Sequence, residues 1–269
     1  MRYLFYTKKP VEEKWDETWG SDEIERHLDT IPMFPQLLDL FERHLKPGSD
    51  ILEAGCGMGR WVAFLSKKGH NVTGIDYSKR AALSIREYDL SLRVDLGDVV
   101  SLPYRDNIFD AYLSFGVIEH IERDRERVLR EAHRVVRPGG LVIISVPLLN
   151  NLARLMWYVN KIKYGSSEDK FYFEEAMTEG TLIEMLEENG FEVIETTSYG
   201  HFVTLLTMFP ILRTWAGEKG TQIHEFNRLG IRVNSFVNSI PDDSLVSREA
   251  AHMITCVARS TKAESSITD

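Results

Sequence analysis

The chain has 269 residues, 43% of them hydrophobic, with 41 acidic and 32 basic side chains and a formal net charge of −9. That is enough chain to bury a sizeable core, and one large domain with insertions is favoured over two separate ones. The acidic balance argues against a general nucleic-acid binder, which needs a basic face. Cys56 and Cys256 are the only cysteines, too few for a disulfide framework, and are expected as reduced thiols. Met1 to Pro10 contains no long apolar run, so no secretory leader is expected and the expected compartment is the cytoplasm.

Residues 1 to 30 are polar and aromatic. Trp15 and Trp19 are four apart and share one face if this arm is helical, which leaves two readings: an arm docked on the main sheet, or a lid over a ligand. Pro32 to Lys46 carries Leu37, Leu38, Phe41 and Leu45 at helical spacing and stops at Pro47-Gly48. It leads directly into Ile51 to Arg60, the sequence Ile-Leu-Glu-Ala-Gly-Cys-Gly-Met-Gly-Arg, where an apolar run meets glycines at alternate positions. Trp61, Phe64 and Leu65 follow on one helical face. This is strand, tight turn, helix. Glycines can take positive φ and let a ligand approach the backbone, and the helix N-terminus offers unpaired N–H groups, so a nucleotide-like ligand is expected there.

Val72 to Ile75 reads as a second strand and ends at Asp76, about twenty residues after the first glycine, where a carboxylate can accept both hydroxyls of a ribose. Ser78 is placed to cap a helix through Glu87. Leu92 to Leu96 ends in Gly97-Asp98, and Phe109 to Phe115 ends in Gly116. In an open parallel sheet such strand ends line a single crevice. Asp124 can cap a helix whose Val128, Leu129, Ala132, Val135 and Val136 form a buried stripe, and Leu141 to Val146 is a fully apolar fifth strand. Strands alternating with helices imply a mainly parallel sheet with right-handed crossovers. A nicotinamide dinucleotide is disfavoured, because its pattern wants a third glycine where Arg60 stands.

Five segments together resemble the class I S-adenosylmethionine-dependent methyltransferases, in the branch typified by quinone-biosynthesis enzymes. They are Glu53-Ala54-Gly55-Cys56-Gly57-Met58-Gly59, Gly74-Ile75-Asp76-Tyr77-Ser78, Gly97-Asp98 before Leu102-Pro103-Tyr104, Phe109-Asp110 through Ser114 to Glu119-His120, and Leu129-Arg130-Glu131 through Arg137-Pro138-Gly139-Gly140. The resemblance covers roughly residues 45 to 147. It implies an α/β, Rossmann-like doubly wound fold: a mostly parallel seven-stranded sheet with an antiparallel last strand, here with helical cap insertions. It further implies that the turn at Gly55, Gly57 and Gly59 passes beneath the methionine portion and ribose of S-adenosylmethionine. Asp76 would hold the ribose hydroxyls and Tyr77 would pack on the adenine. Asp98 and the Val99 N–H would meet the adenine edge, and Phe115 would line the methionine side. Glu53 would order the loop amides or face the ligand's ammonium. A sulfonium is a cation, so Glu53, Asp76, Asp98 and Glu119 would favour it over the neutral product S-adenosylhomocysteine. No metal is implied.

After Pro147 the alternation breaks. Leu148 to Lys163 is rich in Leu, Met, Trp and Tyr, Thr181 and Glu184 are spaced as a capping box for a helix to Asn189, and Phe191 to Thr197 alternates like a strand. Residues 199 to 250 interrupt before His252 to Ala258 supplies the last strand. Within them, Phe202 to Trp215 is apolar but contains Pro210 and Arg213, and is too short to span a membrane. It reads as a cap on its own core, an apolar acceptor pocket, or an interfacial membrane contact, the last least favoured.

The layout is then an N-terminal arm or lid (1–47), an S-adenosylmethionine-binding core (48–147), the rest of the sheet with substrate-cap insertions at 148–173 and 199–250 (148–259), and a flexible tail (260–269). The expected reaction is direct SN2 methyl transfer to a small, partly apolar organic acceptor, in which holding the acceptor in line supplies on the order of 7–11 kcal/mol. His120, after the fourth strand, is the candidate catalytic base for a hydroxyl acceptor, ahead of His201 and Tyr199. A cofactor-binding module without transfer activity, or a sensor of the cofactor, fits the same motifs. The sequence sets no oligomeric state.

Overall fold

In the computed structural model the described residues are 3–7, 15, 19, 24–164, 171–200 and 251–263. Among them, β1 (Tyr3–Thr7), α1 (Ile24–Asp29) and α2 (Pro35–His44) precede an alternating run. That run is β2 (Asp50–Ala54), α3 (Arg60–Lys67), β3 (Asn71–Asp76), α4 (Lys79–Tyr88), β4 (Arg93–Leu96), β5 (Phe109–Phe115), α5 (Arg125–Val135) and β6 (Val136–Pro147). Then come α6 (Asn151–Tyr164), β7 (Phe171–Ala176), α7 (Glu179–Glu188), β8 (Phe191–Tyr199) and β9 (Met253–Ser260).

Seven strands form one sheet in the order β4-β3-β2-β5-β6-β9-β8. β3, β4, β5 and β6 each pair in parallel, and β9 runs antiparallel to both β6 and β8. The expected mixed sheet with a reversed last strand is therefore present. The chain grows outward from β2 to β4, returns, and grows the other way from β5, so the order reverses between β2 and β5. That reversal is the topological switch point of a doubly wound sheet, where the crevice at the strand ends opens.

The strand residues alternate between two cores. Ile51, Leu113 and Ile143 face a cluster built by α1 to α4 through Ile24, Leu40, Trp61 and Ile85. Leu52, Tyr112 and Ile144 face the other side, where α5 and α7 supply Val128, Leu129, Leu182 and Leu186. At the starts of the strands, Arg137 bonds both Asp110 and Asp50, and the Asp110 carboxylate also accepts the Asp50 N–H at 2.8 Å. This ties β2, β5 and the start of β6 together at the end of the sheet away from the glycine turn.

Local expectations fare unevenly. Ser78 caps α4, its hydroxyl accepting the Ala81 N–H. Asp124 stands at the N-cap of α5 but makes no side-chain cap bond. The helix expected from Pro32 begins instead at Pro35, after a 3₁₀ turn over Ile31–Met33. Pro35 disfavours helical backbone at Phe34, which takes φ −121° and ψ 54°. The capping box expected at Thr181 is replaced by Thr178, whose side chain accepts the Thr181 N–H at 3.1 Å, so the helix starts two residues earlier than that box. β6 begins at Val136 rather than Leu141, and the Pro138-Gly139-Gly140 stretch is absorbed as a bulge where pairing jumps from Phe109↔Val136 to Ala111↔Leu141.

The first insertion holds an unexpected element. β7 pairs antiparallel with β1, from Tyr3↔Ala176 to Thr7↔Phe171, making a separate two-stranded flap. Tyr3, Leu149 and Ala176 form its own small core, and Trp157 of α6 stacks edge-on to Tyr3 and donates its indole N–H to the Leu4 carbonyl. His201 and most of the second insertion, including Phe202 to Trp215, lie outside the described residues. No helix among the described residues is long and apolar enough to cross a membrane.

Ile144 is fully buried in the middle of the sheet. Ile144→Ala is expected to lower stability by about 2–5 kcal/mol, read as a lower urea midpoint at unchanged m-value. A smaller loss would mean that the core on the α5–α7 side collapses around the missing atoms.

Candidate functional site

The glycine turn after β2 is pinned to its neighbours before any ligand is considered. The Gly55 and Cys56 N–H groups both donate to the Ile75 carbonyl at the end of β3, at 2.8 and 3.1 Å. Asp76 at the tip of β3 is buried, and its carboxylate accepts the Gly57 N–H at 2.8 Å and the Ser78 N–H at 2.9 Å. One acid thus fixes the turn and the start of α4 together.

Gly55 and Gly57 both have positive φ, 74° and 49°. A Cβ on Gly55 would lie 2.4 Å from Val117 Cγ2, and one on Gly57 would lie 3.0 Å from the Trp19 ring. The first contact shows that the turns after β2 and β5 meet face to face across the switch point. The second places the N-terminal arm directly over the glycine turn.

Trp19 stacks on Trp15 with ring centroids 5.3 Å apart and 16° between planes, and Trp15 meets the His120 ring edge-on at 5.1 Å. Trp19 also meets His27 of α1 edge-on at 5.8 Å. The two indoles therefore bridge from the glycine turn to the segment after β5. The two described tryptophans of this segment thus lie beside the crevice.

Glu53, the last-but-one residue of β2, lies below the turn and is 4% exposed, with Oε2 lacking any hydrogen-bond partner. Burial raises its carboxyl to about 8, against the lowering influence of the Val62 N–H and the Arg60 guanidinium. Arg60, the first residue of α3, donates from Nε to the His27 carbonyl at 3.0 Å and lies 4.8 Å over the Phe34 ring. Burial lowers it to about 10. A cation at a helix N-terminus opposes the helix dipole, and that signal was present in the sequence.

The remaining expected residues line the same edge. Tyr77 is 44% exposed at the rim, Asp98 accepts the Val100 N–H at 3.0 Å, and Val99 is buried. Phe115 is half-buried and packs on Phe41 and Trp61 rather than standing alone over the crevice. After Gly116 the chain forms a 3₁₀ turn, Ile118–His120. Glu119 within it is 1% exposed, its Oε2 has no partner, and burial raises its carboxyl well above the ordinary range. Tyr199 is also buried, its hydroxyl 3.1 Å from Ser145 Oγ. Both cysteines are buried free thiols. Among the described residues no group of three His, Cys, Asp or Glu side chains is placed to hold a metal ion.

The residues that sequence reasoning missed surround the Ile118–His120 turn. Arg125 donates to the Ile118 and Glu119 carbonyls, to Tyr172 Oη and to Glu175. Tyr172 and Glu175 belong to β7, far along the chain, and no local motif announces them.

A doubly wound sheet, a left-handed glycine turn fixed by an acid on the next strand, and a crevice at the switch point define a Rossmann-like domain that takes a nucleotide-bearing cofactor. A family model described as a methyltransferase domain matches residues 52–144. A demethylmenaquinone methyltransferase of Alkalihalophilus pseudofirmus is 30% identical over 179 residues, covering 58% of this chain and 75% of that protein. A protein of Mycolicibacterium smegmatis named as a probable S-adenosylmethionine-dependent methyltransferase is 31% identical over 162 residues, 59% of this chain and 58% of that one. The match thus spans about three fifths of the latter relative's length. In fold, the chain is similar to the Burkholderia thailandensis 1,6-didemethyltoxoflavin-N1-methyltransferase solved with 1,6-didemethyltoxoflavin and S-adenosylhomocysteine. The TM-score is 0.54 at 19% identity, over 87% of this chain and 80% of that one. The chain belongs to the class I S-adenosylmethionine-dependent methyltransferases, and S-adenosylmethionine is its cofactor.

The residues present fit that group. A buried carboxyl oxygen without a partner suits an ammonium, and a buried carboxylate, Asp76, stands at the tip of the neighbouring strand beside the glycine turn.

Because folding raises the Glu53 carboxyl from 4.5 to about 8, its contribution to stability is fully present below 4.5 and is lost as pH rises through 8. Glu53→Gln should therefore change thermal stability little in acid and raise the melting temperature relative to the parent above pH 8. A melting-temperature difference that is flat across this range would show that Glu53 is not held neutral.

Proposed function

We propose that the chain transfers a methyl group from S-adenosylmethionine to a small, partly apolar organic acceptor by direct in-line displacement. The observation that carries this reading is the convergence at the switch point, where the pinned glycine turn, the buried Glu53 carboxyl with its unpartnered Oε2 and the His120 turn come within one crevice. When bound, the cofactor supplies an electrophilic methyl group on a sulfonium that is already a good leaving group.

The chain's own residues then bind and orient. Asp76, buried at the tip of β3 beside the glycine turn, accepts from the ribose hydroxyls. Glu53 gives up its proton and pairs with the ammonium, and Tyr77, Asp98 and the Val99 N–H take the adenine. Phe115 closes the methionine side through its packing on Phe41 and Trp61. For a hydroxyl acceptor, His120 takes the proton as the bond to the methyl forms.

The acceptor class follows from the walls. Trp15 and Trp19 present stacked indoles beside His120, a flat apolar surface suited to a ring-bearing organic molecule rather than a charged polymer. The names of two similar proteins, demethylmenaquinone methyltransferase and 1,6-didemethyltoxoflavin-N1-methyltransferase, are those of enzymes acting on such molecules and support the same class. The chain's net charge of −9 supports it as well.

Titration calorimetry with S-adenosylmethionine and S-adenosylhomocysteine is the first test. Binding in the micromolar range is expected, weakened about tenfold or more by Asp76→Ala. A folded protein that binds neither ligand would remove the assignment. Transfer from a methyl-labelled donor to a panel of quinols and phenols tests the acceptor. With an accepted hydroxyl substrate, His120→Ala is expected to lower kcat about 10²-fold or more while leaving cofactor affinity within a few-fold, and a full-rate variant would take His120 out of the reaction.

A further inference from the structure

His120 ends a single turn whose Ile118 and Glu119 are buried. The 3₁₀ segment Ile118–His120 is one turn long, and its end is secured from outside. Arg125, the first residue of α5, reaches back over it: Nε donates to the Ile118 carbonyl at 3.0 Å and Nη2 to the Glu119 carbonyl at 3.3 Å. The same Nη2 donates to Tyr172 Oη at 2.5 Å, and the Tyr172 hydroxyl itself donates to the Glu119 carbonyl. Nη1 donates to Glu175 Oε2 at 2.5 Å.

One guanidinium thus joins two pieces, the turn through the two carbonyls immediately before His120 and the β1–β7 flap through two of its side chains. It does so largely out of water, with the Arg125 and Glu175 side chains 13% and 10% exposed. A planar fork of five N–H donors in fixed directions is what allows one residue to hold several acceptors at set angles. The Glu119 carbonyl receives two donors at once, and its peptide plane is thereby fixed. That peptide group carries the His120 nitrogen and ends at its Cα, so its plane sets where the His120 side chain leaves the backbone.

We propose that Arg125 and Tyr172 are positioning residues for methyl transfer, a clamp that couples the β1–β7 flap to the orientation of the His120 ring; the proposal rests on His120 serving as the acceptor-side base. Neither residue touches the acceptor. Both act through the backbone carbonyl of Glu119. The flap is accordingly part of the site, since Tyr172 reaches the turn only while β7 is seated, and β7 is held by its pairing with β1 at the other end of the chain. The clamp also fixes Glu119, whose Oε1 lies 3.5 Å from where a Cβ on Gly116 would be, so its carboxyl stays against the crevice wall.

The test uses the full chain saturated with S-adenosylhomocysteine, in which long-range proton–nitrogen spectra give the ring signals of each histidine and His120→Gln assigns those of His120. The Trp15 ring, edge-on at 5.1 Å, makes these signals sensitive to small rotations of the imidazole through its ring current. Tyr172→Phe removes one hydroxyl with little change in volume and is expected to shift the His120 signals and lower kcat about tenfold, with cofactor affinity unchanged within a few-fold. Arg125→Gln is expected to do more. Arg125→Lys, which keeps the charge but loses the fork, should recover only part of the loss.

Folded Tyr172→Phe and Arg125→Lys proteins whose His120 signals stay in place would overturn the clamp, whatever their activity. Unchanged kcat despite shifted signals would overturn it equally. Full activity of His120→Ala, by contrast, would remove the reading of His120 as the base, and the spectra of the clamp variants separate that result from a failure of the clamp.

Discussion

The structure depends on the meeting of two turns at the point where the sheet reverses its order. β2 and β5 are paired in parallel, so the turns that follow them must leave the sheet at the same level. Only a residue without Cβ can stand at 55, since a Cβ there would lie 2.4 Å from Val117. Everything functional hangs on that apposition. The glycine turn exposes backbone toward the crevice, Asp76 locks it from the neighbouring strand, and the segment after β5 carries Glu119 and His120 to the opposite lip. At the far end of the sheet Arg137 ties Asp50 and Asp110, the first residue of β2 and the second of β5, so the register that produces the apposition is fixed at both ends of the pair.

The electrostatics of the crevice follow from burial more than from ion pairs. Glu53 and Glu119 each keep a buried oxygen without a partner, and both carboxyls are pushed up accordingly. Arg60 lies close enough to ease the charge on Glu53, yet among the described residues no carboxylate comes within ion-pair distance of it. A buried polar group without a partner costs stability, and such groups persist where a ligand supplies what the fold withholds. The distribution here, buried acids at the glycine turn and a histidine beside two indoles, suits a cofactor that brings a cation.

Much of this was legible in the sequence because it is local. The glycine spacing, the acid at the end of the second strand, the Ser78 cap and the apolar run of β6 are each written in a few consecutive residues, and the order of alternating strands and helices allows few topologies. Where local signals compete, the reading slipped by a few residues. Thr178 and Thr181 are both good caps three apart, and Thr178, whose own backbone is extended, takes the role. Pro35 outweighs the helical spacing that runs through it, because its ring restricts Phe34. The β1–β7 flap could not be read this way. Tyr3 pairs with Ala176, and neither Tyr-Leu-Phe-Tyr-Thr nor Phe-Tyr-Phe-Glu-Glu-Ala alternates cleanly enough to announce a two-stranded partner so far away.

The same distance explains why the candidate site was only half visible. The residues proposed for the cofactor sit at the ends of strands whose order is fixed by the fold, so spacing along the chain points to them. The groups around His120 come from segments brought together by tertiary packing: Trp15 and Trp19 from the N-terminal segment, Arg125 from the start of α5, Tyr172 and Glu175 from the flap. Arg125 in sequence is one of several charged residues in a polar helix start, indistinguishable from its exposed neighbour Arg130. Only burial separates them: Arg130 holds an exposed i,i+4 partner of little energetic consequence, whereas Arg125 is nearly excluded from water and orders a turn through its carbonyls. A generic cofactor half and an acceptor half assembled from distant pieces is a division that lets substitutions in the arm and flap retune the acceptor without disturbing the glycine turn.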